Sequence, residues 1–387
     1  MKSIKIIYIV TVPETAHVFL RGQFGALKAN GYEVNLISSP GPRLDAIQRE
    51  MAIKTFPIAM ERRVSPFLDL ISLLRIFFII RKVRPTIVNY STPKAGLLGA
   101  IAAWLAYVPI RVYELRGLRL ETVIGLKRFV LTISERITSF CSTKVVCVSR
   151  SLLCIYRGMK LSGPNKLTVF GKGSYHGLEA STILIKPVNP TITQALNQEL
   201  NIPDGAIVIG YVGRLTRDKG IEDLFICFLD AVSQKNKGIL LLVGQIERGD
   251  PLPTSLIEKM RSHPDIRLVG VKEDVLPYYQ IMDIFAFPSY REGLPNAPLE
   301  AAFAGIPTVG YAATGMIDAV VDGETGILAA VGCIDELRKG IIQLLENDNL
   351  RKTLGANARE YALREFSPER SRTAWLDFYS QCISRAR

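Results

Sequence analysis

The sequence predicts an α/β fold built from two Rossmann-like, doubly wound parallel-sheet domains facing each other across a cleft. Three observations predict it. The 387 residues, 48% apolar and 22% charged, exceed what one hydrophobic core holds, since single cores stop growing at roughly 250–300 residues. Short β-branched runs alternate with helix-period segments from end to end, the pattern of parallel strands joined by crossover helices. The charge also changes sign halfway: residues 1–190 carry 27 Lys and Arg against 10 Asp and Glu, and residues 191–387 carry 21 against 26. A compositional break of that kind supports a domain boundary.

In the first half, strands are expected at 3–10, 33–38, 52–57, 86–90, 110–114, 143–148 and 167–170. Their near-continuous Ile, Val, Tyr and Thr suits strands covered on both faces. Only a short apolar run separates Lys5 from Pro13, with no small-residue cleavage site, so the opening reads as a first buried strand and not as a secretory leader. The uncharged stretch 95–110 holds 16 residues, short of the roughly 18–20 that span a bilayer, and reads as a core helix running into a strand. Pro187, Asn189 and Pro190 mark 186–193 as the linker. Beyond it strands restart at 206–213, 238–243, 266–269, 283–287 and 307–310. The expected domains are therefore 1–185 and 194–367, with a final helix at about 368–384 able to pack back on the first. Ligands of open α/β sheets sit at the carboxyl ends of the strands, which directs attention to the turns that follow each strand.

Composition narrows the function. The six cysteines form no CxxC pair and no His stands at metal-ligand spacing, so neither a zinc site nor a disulfide framework is indicated and the expected compartment is reducing cytosol. No RNP-like aromatic pattern, zinc finger or continuous basic helix points to nucleic acid. The basic first half brackets an apolar segment, 67–80, with Arg62, Arg63, Arg75, Arg81, Lys82 and Arg84, and Lys127 and Arg128 interrupt another apolar helix. Two readings stand: amphipathic helices packed on the core with solvated cations, or docking on an anionic membrane surface.

Two segments of the second half carry chemistry. The strand 206–213 ends in Gly213-Arg214-Leu215-Thr216-Arg217-Asp218-Lys219-Gly220 just before a helix beginning near Ile221. A glycine at a strand end admits close backbone approach, and two cations five residues apart can converge on one diphosphate. Alone, the segment is equally an ordinary strand-to-helix turn. The second runs from Phe287 through Glu292-Gly293-Leu294-Pro295-Asn296 to Glu300 and Gly305. Its loop feeds a helix opening near Asn296, where free N–H groups can meet phosphate or sugar oxygens. Eight helical steps between Glu292 and Glu300 would span about 12 Å, beyond the roughly 5–9.5 Å of paired glycosidase carboxylates. They read as separate contacts to one elongated ligand.

Together, in this order and on these elements, the Gly-Arg-Leu-x-x-x-Lys-Gly turn and the Glu-x7-Glu segment resemble the retaining GT-B glycosyltransferases of family 4. The resemblance implies that Arg214 and Lys219 hold the donor diphosphate, Glu292 lies against the donor sugar and Glu300 bonds the ribose hydroxyls. Gly213, Gly293, Leu294 and Asn296 would complete the donor pocket. It implies transfer without metal or cofactor from a nucleoside diphosphate sugar, UDP being the family-typical carrier. No HExxH or DxD-type signature argues for a cation. The turn Gly171-Lys172-Gly173-Ser174-Tyr175-His176-Gly177 resembles the family's Gly-Ser-x-Asn-Gly, with His176 at the Asn position. A P-loop reading of Gly171-Lys172 fails because Gly173 stands where Ser or Thr is required.

The first half departs from the commoner family pattern, having no Gly-Gly turn after its first strand. It looks more like the branch that builds capsule, exopolysaccharide or O-antigen on lipid-linked glycans, at the cytoplasmic face of the cell membrane. Strand-end positions make His17, Lys94, Glu114 and Arg116 acceptor candidates, His17 as a base and Glu114 as a sugar contact. A satisfied structural histidine is an equal reading of His17. Two rivals stay open: a sugar-nucleotide 2-epimerase of similar architecture and a non-catalytic donor-binding subunit of a polysaccharide assembly complex. A nicotinamide dehydrogenase is disfavoured, since no G-x-G-x-x-G follows the first strand of either half.

Overall fold

The computed structural model describes residues 3–61, 65–176, 190–233, 238–247 and 250–386. Arg62, Arg63, Gly177 and the first half of the expected linker, 186–189, lie outside them. The chain divides into two compact units, Met1–Gly177 with Pro368–Arg387, and Leu178–Ser367.

The first unit holds seven strands: β1 Ile4–Ile9, β2 Tyr32–Ser38, β3 Lys54–Pro57, β4 Ile87–Ser91, β5 Ile110–Leu115, β6 Lys144–Cys147 and β7 Leu167–Thr168. Their spatial order is β3-β2-β1-β4-β5-β6-β7, and every pairing is parallel. Ile6, Ile7, Ile9, Val88 and Val112 are wholly buried, because helices cover both faces. Expected strand 52–57 begins later, at Lys54, since Met51 still belongs to the preceding helix and Ala52 turns the chain in the left-handed region.

The helix Pro368–Ala386 packs on this first sheet, in contact with β5 and the helix Arg21–Ala29. Trp375, Phe378 and Tyr379 enter the same core as Tyr8 and Phe24, and Trp375 meets Phe170 edge to face at 5.0 Å. Burying each such side chain contributes roughly 1.5–3 kcal/mol, enough to fasten the end of the chain to its beginning.

The second unit holds β8 Ile207–Val212, β9 Gly238–Val243, β10 Ile266–Gly270, β11 Ile284–Phe287, β12 Thr308–Tyr311 and β13 Gly326–Ala329 in the order β10-β9-β8-β11-β12-β13, again all parallel. Strand β13 was not among the expected elements. In both sheets the strand order reverses beside the first strand, between β1 and β4 and between β8 and β11. Ligand crevices of doubly wound sheets form at such points. The turn after β8 and the loop after β11, which carry the two motifs, flank one of them.

Candidate active site

In the second unit the two motifs meet. After β8 the chain passes Gly213 and Arg214 into the short 3-10 turn Arg217–Lys219 and then the helix Ile221–Ser233. Gly220 closes that turn at φ 68°, and a Cβ there would stand 2.0 Å from the carbonyl oxygen of Pro288 in the loop after β11. Only glycine permits that contact, and it sets Lys219 beside Glu292, 73 positions away. Their ammonium and carboxylate form an ion pair, each side chain 13% exposed. The Lys219 ammonium also stands 5.7 Å from the centre of the Phe287 ring.

Asp218 fastens the same junction. Its carboxylate accepts from Thr216 Oγ1 at 2.6 Å and from Arg291 at 3.1 Å, and its carbonyl accepts from the backbone N–H of Tyr290 at 3.0 Å. Burial pushes its pKa up, but the Thr216 hydroxyl and the cations Lys219, Arg291 and Arg214 outweigh burial and hold it below the usual value. Arg214 reaches Glu247 Oε2 at 2.8 Å and is about half exposed. The expected cations Arg214 and Lys219 thus both flank Asp218, each with its own carboxylate, and Arg291 joins them as a third that the motif reading passed over.

The loop 288–295 enters the helix Asn296–Phe303 with Pro295 at the N-cap. Proline has no side-chain oxygen, so the first turn carries no side-chain cap from this position. Gly315, at φ 76°, lies so close that a Cβ would stand 2.3 Å from the Gly293 carbonyl, which fixes the backbone of Gly293 and Leu294. Glu300 is buried on this helix and accepts from the Tyr279 hydroxyl at 2.9 Å. That partner is 21 residues away and carried no motif. Glu292 and Glu300 hold separate protein partners, Lys219 and Tyr279.

In the first unit the expected acceptor residues separate into three groups. Lys94, in the first turn of the helix Pro93–Leu105, forms a 2.6 Å ion pair with Asp69 on the helix Pro66–Val83. His17 Nε2 stands 3.3 Å from Arg43 Nη1. Glu114 and Arg116, at the end of β5, come together: Arg116 Nη2 is 2.8 Å from Glu114 Oε1, and the Arg116 guanidinium lies over the Phe19 ring at 5.4 Å. Glu114 is wholly buried. Its second neighbour is His176, whose Nε2 lies 3.2 Å from the same Oε1. Burial pushes the Glu114 pKa up, yet Arg116 and His176 carry it below the usual value; burial and Arg116 together lower that of His176.

The family described as "Glycosyl transferases group 1" matches residues 193–361, and "Glycosyl transferase 4-like" matches residues 5–143. The capsular polysaccharide biosynthesis glycosyltransferase CapM of Staphylococcus aureus is 37% identical over 95% of both chains. The chain belongs to the group 1 glycosyltransferases. An Escherichia coli relative, named UDP-Gal:alpha-D-GlcNAc-diphosphoundecaprenol alpha-1,3-galactosyltransferase, is 24% identical over 89% of this glycosyltransferase and 88% of its own length. Among solved structures, HepE of Anabaena in complex with UDP and glucose superposes with TM-score 0.78 at 18% identity, covering 97% of this chain and 99% of that one. The two sheets and this likeness establish the GT-B fold.

The glycosyltransferase also presents an apolar face. Helices Pro66–Val83, Pro93–Leu105 and Gly125–Cys141 pack side by side in that order. Phe67 (74% exposed), Phe78, Trp104, Tyr107, Leu126, Phe129 and Phe140 (70%) project from them and the turns between, and Trp104 meets Phe140 at 6.3 Å. Arg75, Arg81, Lys82, Lys127, Arg128 and Arg136 are exposed among them, whereas Glu135 is buried and Asp69 is paired. Burial pushes Glu135 from 4.5 up to about 7, even though the Tyr156 and Tyr113 hydroxyls donate to it. Among the described residues no helix is long and apolar enough to cross a membrane.

Proposed function

We propose that this glycosyltransferase moves a sugar from a UDP-sugar to a hydroxyl of a polyprenyl-diphosphate-linked glycan in bacterial surface polysaccharide biosynthesis. On this reading the anomeric configuration is retained and no metal takes part. The observation that carries it is the meeting of Lys219 and Glu292 beside Asp218, Arg214 and the uncapped helix start at Asn296. Cations, free N–H groups and a carboxylate so placed suit a diphosphate with a sugar attached.

An oxocarbenium-like transition state needs help chiefly at the departing diphosphate. Arg214, Lys219 and the dipole end at Asn296 supply it electrostatically. Gly213, Gly293 and Leu294 let backbone approach the phosphates and sugar, Glu292 lies against the sugar, and Glu300, oriented by Tyr279, accepts from the ribose hydroxyls. As the bond from the anomeric carbon to the phosphate oxygen breaks, a new one forms to the acceptor oxygen, and a leaving-group oxygen takes the acceptor proton. The E. coli relative, named for a diphosphoundecaprenol-linked substrate, supports the acceptor class.

The apolar face with its exposed cations fits the cytoplasmic surface of an anionic bilayer, where apolar burial and roughly 1 kcal/mol per basic residue act together. Sedimentation with vesicles tests this: binding to phosphatidylglycerol vesicles, lost on the double substitution Phe129→Asp and Phe140→Asp, is expected. Equal binding by that variant contradicts it. Glu292→Gln tests the donor assignment: transfer falls to background while UDP binding persists, and wild-type turnover by this variant refutes it.

A further inference from the structure

We infer that His176 and Glu114 form a buried holder that aims Arg116 at the diphosphate of the lipid-linked acceptor, with His176 as a positioning residue. The inference rests on the proposed acceptor class and assigns a role to a histidine that the donor chemistry leaves unused.

Three elements build the holder. Strand β5 delivers Glu114, and Arg116 follows one residue past the strand's end, its Nη2 2.8 Å from Glu114 Oε1. The turn 171–176 delivers His176; it is fixed by a bridge between Ser149 and Gly173 and by the Ser174 N–H donating to the Val148 carbonyl at 2.8 Å. The helix Pro368–Ala386 backs the imidazole with Trp375, ring centres 6.3 Å apart.

Exposure ranks the three side chains. Glu114 is 0% exposed, His176 6% and Arg116 17%, so only the guanidinium is placed to meet a ligand. Its Nε and Nη2 are buried, so the exposed remainder of the guanidinium is the part that can meet phosphate oxygens. The Phe19 ring on its other side limits its swing. Glu114 Oε1 lies against both Arg116 and His176. A lone buried carboxylate beside one guanidinium retains alternative rotamers, whereas an imidazole packed with its Nε2 3.2 Å from the same oxygen restricts them. Beneath it, Tyr379 and Tyr8 share a 2.9 Å hydrogen bond, with Asn89 donating to Tyr379 and Gln23 to Tyr8. The floor of the holder is thus also fixed. Substituting His176 then acts on acceptor binding through Arg116 and leaves the donor site alone.

The experiment measures steady-state constants for donor and acceptor separately, with an undecaprenyl-diphosphate saccharide and with an octyl glycoside of the same saccharide. His176→Phe, which keeps a ring and removes the nitrogen that faces Glu114, raises KM for the diphosphate acceptor roughly tenfold, the scale of one charge-assisted contact. The donor KM, kcat and the octyl glycoside KM stay at wild-type values. His176→Gln returns a polar group facing Glu114 and restores the low KM. Glu114→Gln raises the same KM, and adding His176→Phe to it has little further effect, because the two act as one unit. That pair of measurements decides the matter even where the phenylalanine variant alone folds poorly. An unchanged acceptor KM in folded His176→Phe, equal rises for donor and acceptor, or full additivity with Glu114→Gln overturns the holder. A wild-type protein that transfers to no diphosphate-linked acceptor overturns the proposed function itself, and with it this inference.

Discussion

Removing the ammonium of Lys219 while keeping its length, as in Lys219→Met, separates diphosphate recognition from everything else the donor site does. In the structure the Lys219 side chain is only 13% exposed and its ammonium is paired with Glu292, so binding a diphosphate requires little further desolvation. An ammonium has three donors, so it serves the carboxylate and a phosphate oxygen together. One charge-assisted hydrogen bond contributes about 1.5–3 kcal/mol, which is roughly a 10- to 150-fold loss of UDP affinity in the variant. Uridine, lacking phosphates, keeps its affinity. Titration calorimetry of both ligands in EDTA reads the two losses directly. Parallel losses for UDP and uridine, or none for either, refute the assignment of Lys219 to the diphosphate.

Gly220→Ala forces a Cβ against the Pro288 carbonyl in a left-handed conformation, so denaturant midpoints should show a loss of at least about 2 kcal/mol; a wild-type midpoint contradicts the packing argument. Tyr279→Phe removes the hydroxyl that orients Glu300 and should raise the UDP-sugar KM several-fold by initial rates, whereas an unchanged KM separates Glu300 from the ribose. Glu135 supplies a pH dependence. Its folded pKa lies above its ordinary value, so its stability contribution is full below about 4.5 and is lost as pH rises through about 7, a change of about 3 kcal/mol at most. Urea denaturation should show wild type losing stability between pH 5 and 8 relative to Glu135→Gln, whose hydroxyl partners can still donate. Parallel pH profiles contradict it.

Most strands were legible because buried parallel strands need largely apolar runs, and 239–243, Ile-Leu-Leu-Leu-Val, has nothing else. Strand β13 escaped because Gly326 opens it and the turn before it, Asp322-Gly323-Glu324, masks so short a run. The donor motifs were legible as segments, but the Lys219–Glu292 pair was not, since sequence spacing carries no distance across 73 positions; the Gly220 contact with Pro288 supplies it. Arg291 and Tyr279 were not marked in the sequence, and the fold sets them beside Asp218 and Glu300. Glu114 and Arg116 were marked by their strand-end positions. That Glu114 points inward followed only from the turn that carries His176, which closes over it. The helix Gly125–Cys141 illustrates a further limit: its apolar period is the same whether Phe129 and Phe140 face a core or the outside, and only the packing of its neighbours distinguishes the two.

The central claim is that the protein is a retaining, metal-independent transferase from a UDP-sugar to a lipid-diphosphate-linked glycan. Incubating the purified protein in EDTA with a panel of α-linked UDP-sugars and an undecaprenyl-diphosphate saccharide, and following the product by NMR, tests it most directly. UDP released in step with an acceptor lengthened by one α-linked sugar is the predicted result. A β-linked product, transfer only after a divalent cation is restored, or release of UDP from no donor in the presence of acceptor would contradict it.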